Sequence, residues 1–102
     1  MKTESRIVAR IREALQAEAR VRKQSIKIEK RHGSEFSIAG EPDLFGCVDG
    51  RHFEIEVKVL GKSPEPIQHL RLKEWSHVGA LTGWATNAEE AIGIVWPTTA
   101  SP

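Results

Sequence analysis

The stretch Gly40 to Lys58 constrains this chain most, because Asp49-Gly50 sits inside it between two apolar-rich runs. Asp-Gly suits a type I′ turn, which needs φ > 0 at both central residues, so the stretch reads as a β-hairpin that opens after Pro42. With a two-residue loop, Val48 faces Arg51, Leu44 faces Ile55 and Asp43 faces Glu56. Opposed residues hold their Cβ atoms about 5 Å apart. Two carboxylates at that separation repel by roughly 3 kcal/mol at an effective dielectric near 20. A divalent cation, a shared proton or a nearby lysine could offset this, and Lys58 lies two residues beyond Glu56 on the same strand face. The hairpin therefore predicts Asp43, Glu56 and Lys58 clustered at one end of one face. That set is a metal-dependent phosphodiester-cleaving arrangement; on spacing alone it is equally a pair of solvated strand carboxylates. A longer turn, or a bulge at Gly46, would make the two carboxylates meet diagonally.

A chain of 102 residues suffices for one domain and not two. We expect that domain over residues 1–97, with residues 98–102 a disordered tail. No stretch approaches the apolar length of a membrane span, and residues 1–6 lack the apolar segment of a signal peptide. The single Cys47 cannot form an internal disulfide, and no Cys/His cluster has zinc-site spacing. These features fit a reducing cytoplasm, with Cys47 a packed small residue. The net charge of +1 conceals an asymmetry: residues 1–31 hold ten Lys or Arg against four Glu, and residues 32–102 hold five against ten Asp or Glu. A basic segment beside an acidic cluster suits an enzyme that grips phosphates with one part and a metal with the other. It equally describes an ordinary basic amphipathic helix.

Ile7, Ile11 and Leu15 repeat at helical spacing, predicting a helix from residue 3 to about 20 with Thr3 as N-cap. Glu4 falls in its first turn on the side of Ile7 and Ile11, toward the core's edge, whereas Glu13 lies nearer the solvent side. Ile26 and Ile28 alternate with polar residues, predicting a half-buried strand. Lys30 and the segment Arg31-His-Gly-Ser34 follow; Lys30, Arg31, His32 and Ser34 could contact a phosphate backbone, or form a plain polar turn. Phe36 and Ile38 alternate on the way into the hairpin. In its second arm Phe53, Ile55, Val57 and Val59 face the core, and Glu54, Glu56 and Lys58 face away.

After a breaker-rich loop, a helix over 66–78 takes Ile67, Leu70, Leu72, Trp75 and Val78 as its apolar positions. Gln68, in its first turn, could reach the site or lie on the surface. Residues 80–86 form a short strand. Asn87-Ala-Glu-Glu90 is a capping signal for a short helix to about Ile92. Ile94-Val-Trp96 then reads as a last edge strand stopped by Pro97.

The resulting order α-β-β-β-α-β, with Pro42-Asp43, Glu56-Val-Lys58 and Gln68, resembles the PD-(D/E)XK nuclease superfamily. More closely it is similar to the small standalone VRR-NUC domains of phages and bacteria. The blocks that carry the likeness are Lys30 to Ser34, Gly40 to Gly50, Phe53 to Lys58, Gly61-Lys62, Pro66-Ile-Gln68 and Gly79 to Glu90. The resemblance implies an α/β, restriction-endonuclease-like αβββαβ core, with a mixed central sheet flanked by helices. It implies a nuclease using Mg²⁺ or Mn²⁺, with Asp43, Glu56 and the carbonyl of Val57 as metal ligands. Glu4, or less closely Glu13, would complete the site from the first helix. Lys58 would orient or activate water and stabilise charge, Gln68 matches a site glutamine, and Lys62 joins the DNA-contacting set.

Standalone members are implied to act as homodimers on branched DNA, including four-way junctions, in a bacterial or phage-infected cell. Hard oxygen ligands suit Mg²⁺ or Mn²⁺ independently of the resemblance. A lysine near two carboxylates stays charged, which favours electrostatic stabilisation and leaves a base role open. The main expectation is a structure-selective endodeoxyribonuclease of the Holliday-junction-resolving kind. The alternatives are a flap or duplex nuclease and a non-catalytic junction-binding module.

Overall fold

The N-terminal helix forms where the apolar stripe predicts it. In the computed structural model, which describes residues 3–98, helix α1 spans Glu4–Val21, and the Thr3 side chain accepts from the Arg6 amide. Ile7, Val8, Ile11, Leu15 and Ala19 are its buried residues. Four strands follow the predicted order, β1 (Ile26–Lys30), β2 (Leu44–Val48), β3 (Arg51–Val57) and β4 (Leu81–Ala85). Helix α2 (Pro66–His77) joins β3 to β4, and α3 (Ala88–Val95) closes the described chain. The sheet order is β1-β2-β3-β4. The first two pairings are antiparallel and β3 pairs parallel to β4, because a helical crossover separates them. The sheet is thus mixed and flanked by helices, as expected. Residues 1–2 and 99–102, the ends of the expected domain and tail, lie outside the described residues.

The hairpin has the two-residue turn: Asp49 (φ 45°) and Gly50 (φ 82°) both take positive φ, and the pairs run from Val48↔Arg51 to Leu44↔Ile55. Gly46 causes no bulge. A Cβ there would lie 1.9 Å from the Lys27 carbonyl oxygen and 2.7 Å from the Phe53 ring, so this position admits only glycine while β1 and Phe53 pack as they do.

One face of the sheet carries the main core. Leu44, Val48, Phe53, Ile55 and Val57 pack there with the α1 stripe and with Ala91 and Val95 of α3. The opposite face of β3 is covered as well. His52 stacks on Trp75 of α2, ring centroids 5.1 Å apart, and both Glu54 and Glu56 are buried. Alternation correctly separates the two sets of β3 side chains, but the second set does not face water.

The structure corrects four local expectations. Ile94 and Val95 continue α3 rather than forming an edge strand. Asn87 caps the helix by accepting from the Glu90 amide, and Ala91 and Val95, one turn apart, bury together against α1; a short apolar run fits strand or helix until its packing partner is known. Phe36 and Ile38 are exposed in a turn. Ser37 Oγ donates to the Ser34 carbonyl (2.6 Å) and accepts from the Ser34 amide (2.9 Å), which folds the segment locally. On α2 only Leu72 is buried; Ile67 and Leu70 on the helix, and Val78 just after it, are exposed. Cys47 is exposed rather than packed, because it lies on the second sheet face, in the ladder between Lys27 and His52.

Candidate active site

Asp43 lies immediately before β2, and the antiparallel register carries it to the end of β3. Its Oδ2 accepts from the Val57 amide at 2.8 Å. Glu56 and Val57 end β3, and Lys58 follows directly. The Lys58 amide continues the parallel ladder by donating to the Ala85 carbonyl (2.9 Å), which fixes the start of that segment. The Lys58 ammonium lies 3.7 Å from Glu56 Oε2, and both side chains are largely buried. The structure therefore brings Asp43, Glu56 and Lys58 together.

Electrostatics make Glu56 the unusual member. Its buried Oε1 has no donor to accept from, and a proton shared with the Asp43 carboxylate would satisfy it. Burial first, and then the adjacent Asp43 carboxylate, push its pKa up to about 8. The Glu4 carboxylate adds a smaller push in the same direction, while Lys58 opposes both. Glu4, in the first turn of α1, therefore belongs to the field of this site. Glu13 is exposed on α1 and is not among the groups that act on Glu56. The two glutamates are nine positions apart on the helix, about 13 Å along the axis.

Gln68 is in the first turn of α2, where its Oε1 accepts from the Glu65 amide at 2.8 Å. Its carbonyl oxygen serves as a helix cap in this structure. His32 and Ser34 are exposed in the loop before β2, Lys62 is exposed in the loop after β3, and Lys30 is half-buried at the end of β1. An open cavity of about 470 Å³ adjoins Asp43 and is lined by Arg31, His32, Gly33, Ser37 and Gly40 among others. Arg31 is placed differently from a solvent-facing phosphate contact. Its guanidinium makes two bonds to Glu54, at 2.5 and 3.2 Å, and one to the Pro42 carbonyl at 2.9 Å.

Sequence reasoning missed this second constellation. Glu54 is wholly buried, pairs with Arg31 and meets His52 Nε2 at 2.5 Å. The Arg31 guanidinium lies over Phe45 (4.4 Å) and beside Trp75 (5.7 Å), and Trp75 Nε1 donates to Glu41 (3.1 Å). The signal available was the placing of Glu54 on the face of Glu56, opposite an arginine that follows β1.

A divalent cation fits the first constellation. The donors are hard oxygens, one buried carboxylate oxygen has no donor to accept from, and two carboxylates are held together at the cost of a raised pKa. Among the described residues no three His, Cys, Asp or Glu side chains form a ready-made cage. Two carboxylates suit an ion that keeps several of its waters, as Mg²⁺ does.

The carboxylate–lysine cluster thus sits at the hairpin end of a mixed four-stranded α/β fold. A solved structure described as a VRR_NUC domain has the same fold, with a TM-score of 0.57 and 17% sequence identity, covering 85% of this chain and 91% of the other. No protein-family model matches the sequence, and no curated protein does.

Proposed function

We propose that this chain is a metal-dependent endodeoxyribonuclease of the VRR-NUC kind that hydrolyses phosphodiester bonds in branched DNA. The observation that carries the reading is the buried Asp43–Glu56–Lys58 cluster with a Glu56 oxygen that no donor reaches. A DNA-cleaving role also agrees with the VRR_NUC fold.

Asp43, Glu56 and the Val57 carbonyl would hold Mg²⁺ or Mn²⁺, with Glu4 acting from the α1 terminus. When bound, such an ion supplies Lewis-acid polarisation of the scissile phosphate and of attacking water. The protein's own groups do the positioning. The Val57 amide orients the Asp43 carboxylate, and Glu56 is kept in a low-polarity site where its charge acts strongly. Lys58, tied directly after β3 by its amide hydrogen bond to the Ala85 carbonyl, presents its ammonium to the charge that develops on the phosphate oxygens. The exposed His32, Ser34 and Lys62 are available to the sugar–phosphate backbone.

Branched DNA is the substrate class that the resemblance to standalone VRR-NUC domains implies. A homodimer with two-fold symmetry would present two such sites to opposed strands of a four-way junction, which shares that symmetry. The deciding experiment is cleavage of labelled four-way, flap and duplex DNA with Mg²⁺ or Mn²⁺, with Lys58→Ala as control. Paired, metal-dependent cuts in the junction that vanish in the variant are expected. Preferential flap or duplex cutting would redirect the substrate assignment. EDTA-insensitive junction binding, with no cutting of any DNA, would show a binding module instead.

A further inference from the structure

Arg31 and Glu54 form a charged pair on the sheet face that carries the site, yet neither belongs to the metal-and-lysine chemistry above. Glu54 is wholly buried and the Arg31 side chain is 25% exposed. Such a pair needs a reason, because burying two charges is costly unless geometry is good and the remaining donors are used. The geometry shows where those donors go. Arg31 Nη1 bonds both Glu54 Oε1 and the Pro42 carbonyl. The Arg31 main-chain amide donates to the Asp43 carbonyl at 2.8 Å. One residue thus grips the two consecutive carbonyls that bracket the Asp43 backbone, while the Val57 amide holds the Asp43 carboxylate from the far side. Phe45 and Trp75 pack on the guanidinium, and Glu41 approaches it at 3.9 Å.

We propose that the Arg31–Glu54 pair is a positioning device for Asp43: Glu54 orients the Arg31 guanidinium, and Arg31 holds the Pro42–Asp43 backbone at the angle that aims the carboxylate into the cation site. Arg31 is on this account a positioning residue and not a phosphate ligand. The inference rests on Asp43 being a metal ligand, as proposed above. An arginine is needed because its planar fork engages the carboxylate with two nitrogens while one of them also reaches the carbonyl; a lysine ammonium is a point charge without that fork. Groups that orient a ligand in this way typically change metal affinity or activity by about 10–100-fold when removed.

The test uses the full chain with three readouts. These are exchange of the Val57 amide proton followed by NMR without metal, Mn²⁺ affinity by calorimetry, and junction affinity in Ca²⁺. The principal variant is Arg31→Met/Glu54→Leu, which removes both charges together and so avoids stranding one in the interior. Faster Val57 exchange and Mn²⁺ affinity weakened about 10-fold or more, at unchanged or higher melting temperature, is the expected result. If that variant does not fold, Arg31→Lys gives the same comparison with the charge kept. Wild-type Val57 exchange and Mn²⁺ affinity in the folded variant would overturn the proposal. So would weakened junction affinity with Mn²⁺ affinity intact, which would make Arg31 a phosphate contact. If the wild-type chain binds no Mn²⁺ and cuts no DNA, the nuclease reading fails, and the Val57 amide alone then decides whether Arg31 positions Asp43.

Discussion

Glu56 ionises near pH 8 in the folded chain because burial and the Asp43 carboxylate oppose its charge, whereas its unperturbed value is 4.5. Below pH 4.5 both folded and unfolded chains hold the proton, and the full stability is present. As pH rises toward 8 the unfolded chain has released its proton and the folded chain has not, so the metal-free protein loses stability across that window. The linkage has a ceiling of about 5 kcal/mol, since each pKa unit is worth about 1.4 kcal/mol. Denaturant titrations at pH 5 and pH 8.5 should show the decline, and Glu56→Gln should flatten it. The same proton gives a second readout: Mn²⁺ binding at pH 7 should release close to one proton, measured by calorimetry in buffers of different ionisation enthalpy, and none at pH 9.5. Asp43→Asn tests the repulsion directly. It should raise metal-free stability at pH 9 by roughly 1 kcal/mol while reducing cleavage by about 100-fold or more. A Glu56 pKa left unchanged by Asp43→Asn would show that the two carboxylates do not oppose one another.

Among the elements, the hairpin owes its register to two glycines that act for different reasons. Gly50 completes a turn with positive φ, whereas Gly46 gives up its side chain to the Lys27 carbonyl and the Phe53 ring. Gly46→Ala should separate β1 from β2 and cost about 2 kcal/mol or more in denaturant unfolding. An alanine variant as stable as wild type would mean that β1 is free to move. Helix α3 depends on a cap instead: Asn87→Ala removes the acceptor for the Glu90 amide (2.8 Å) and should lower stability by about 1 kcal/mol. Helix α2 is held differently again. With Leu72 its only buried residue, it is fastened by polar contacts to the loop before β2, through Arg71 to the Ala39 carbonyl (3.0 Å) and Trp75 to Glu41.

For the molecule as a whole, that fastening leaves apolar area uncovered. Ile67 and Leu70, three residues apart on α2, are 37% and 46% exposed, and Trp84 on β4 is 39% exposed. The proposed homodimer would have reason to bury such residues. Leu70→Glu should then shift sedimentation from dimer to monomer with little change in melting temperature, and a wild-type chain that sediments as a monomer at micromolar concentration would count against the dimer. No helix among the described residues is long and apolar enough to cross a membrane.

Local rules make much of this molecule legible from its residues alone. Asp49-Gly50 determines the turn, and with no bulge at Gly46 the turn carries Asp43, Glu56 and Lys58 to one end of the sheet. The α1 stripe and the Asn87 cap are equally local. Tertiary structure alone decides the rest. Burial of the second sheet face turns two strand carboxylates into one with a raised pKa and one locked to arginine, and burial depends on which helix covers the strand. It places Arg31 against Glu54 across 23 positions of chain, where the neighbours of Arg31 in sequence suggest a phosphate contact. It prolongs α3 through Ile94 and Val95, since α1 offers that helix a packing partner that no short window of sequence contains.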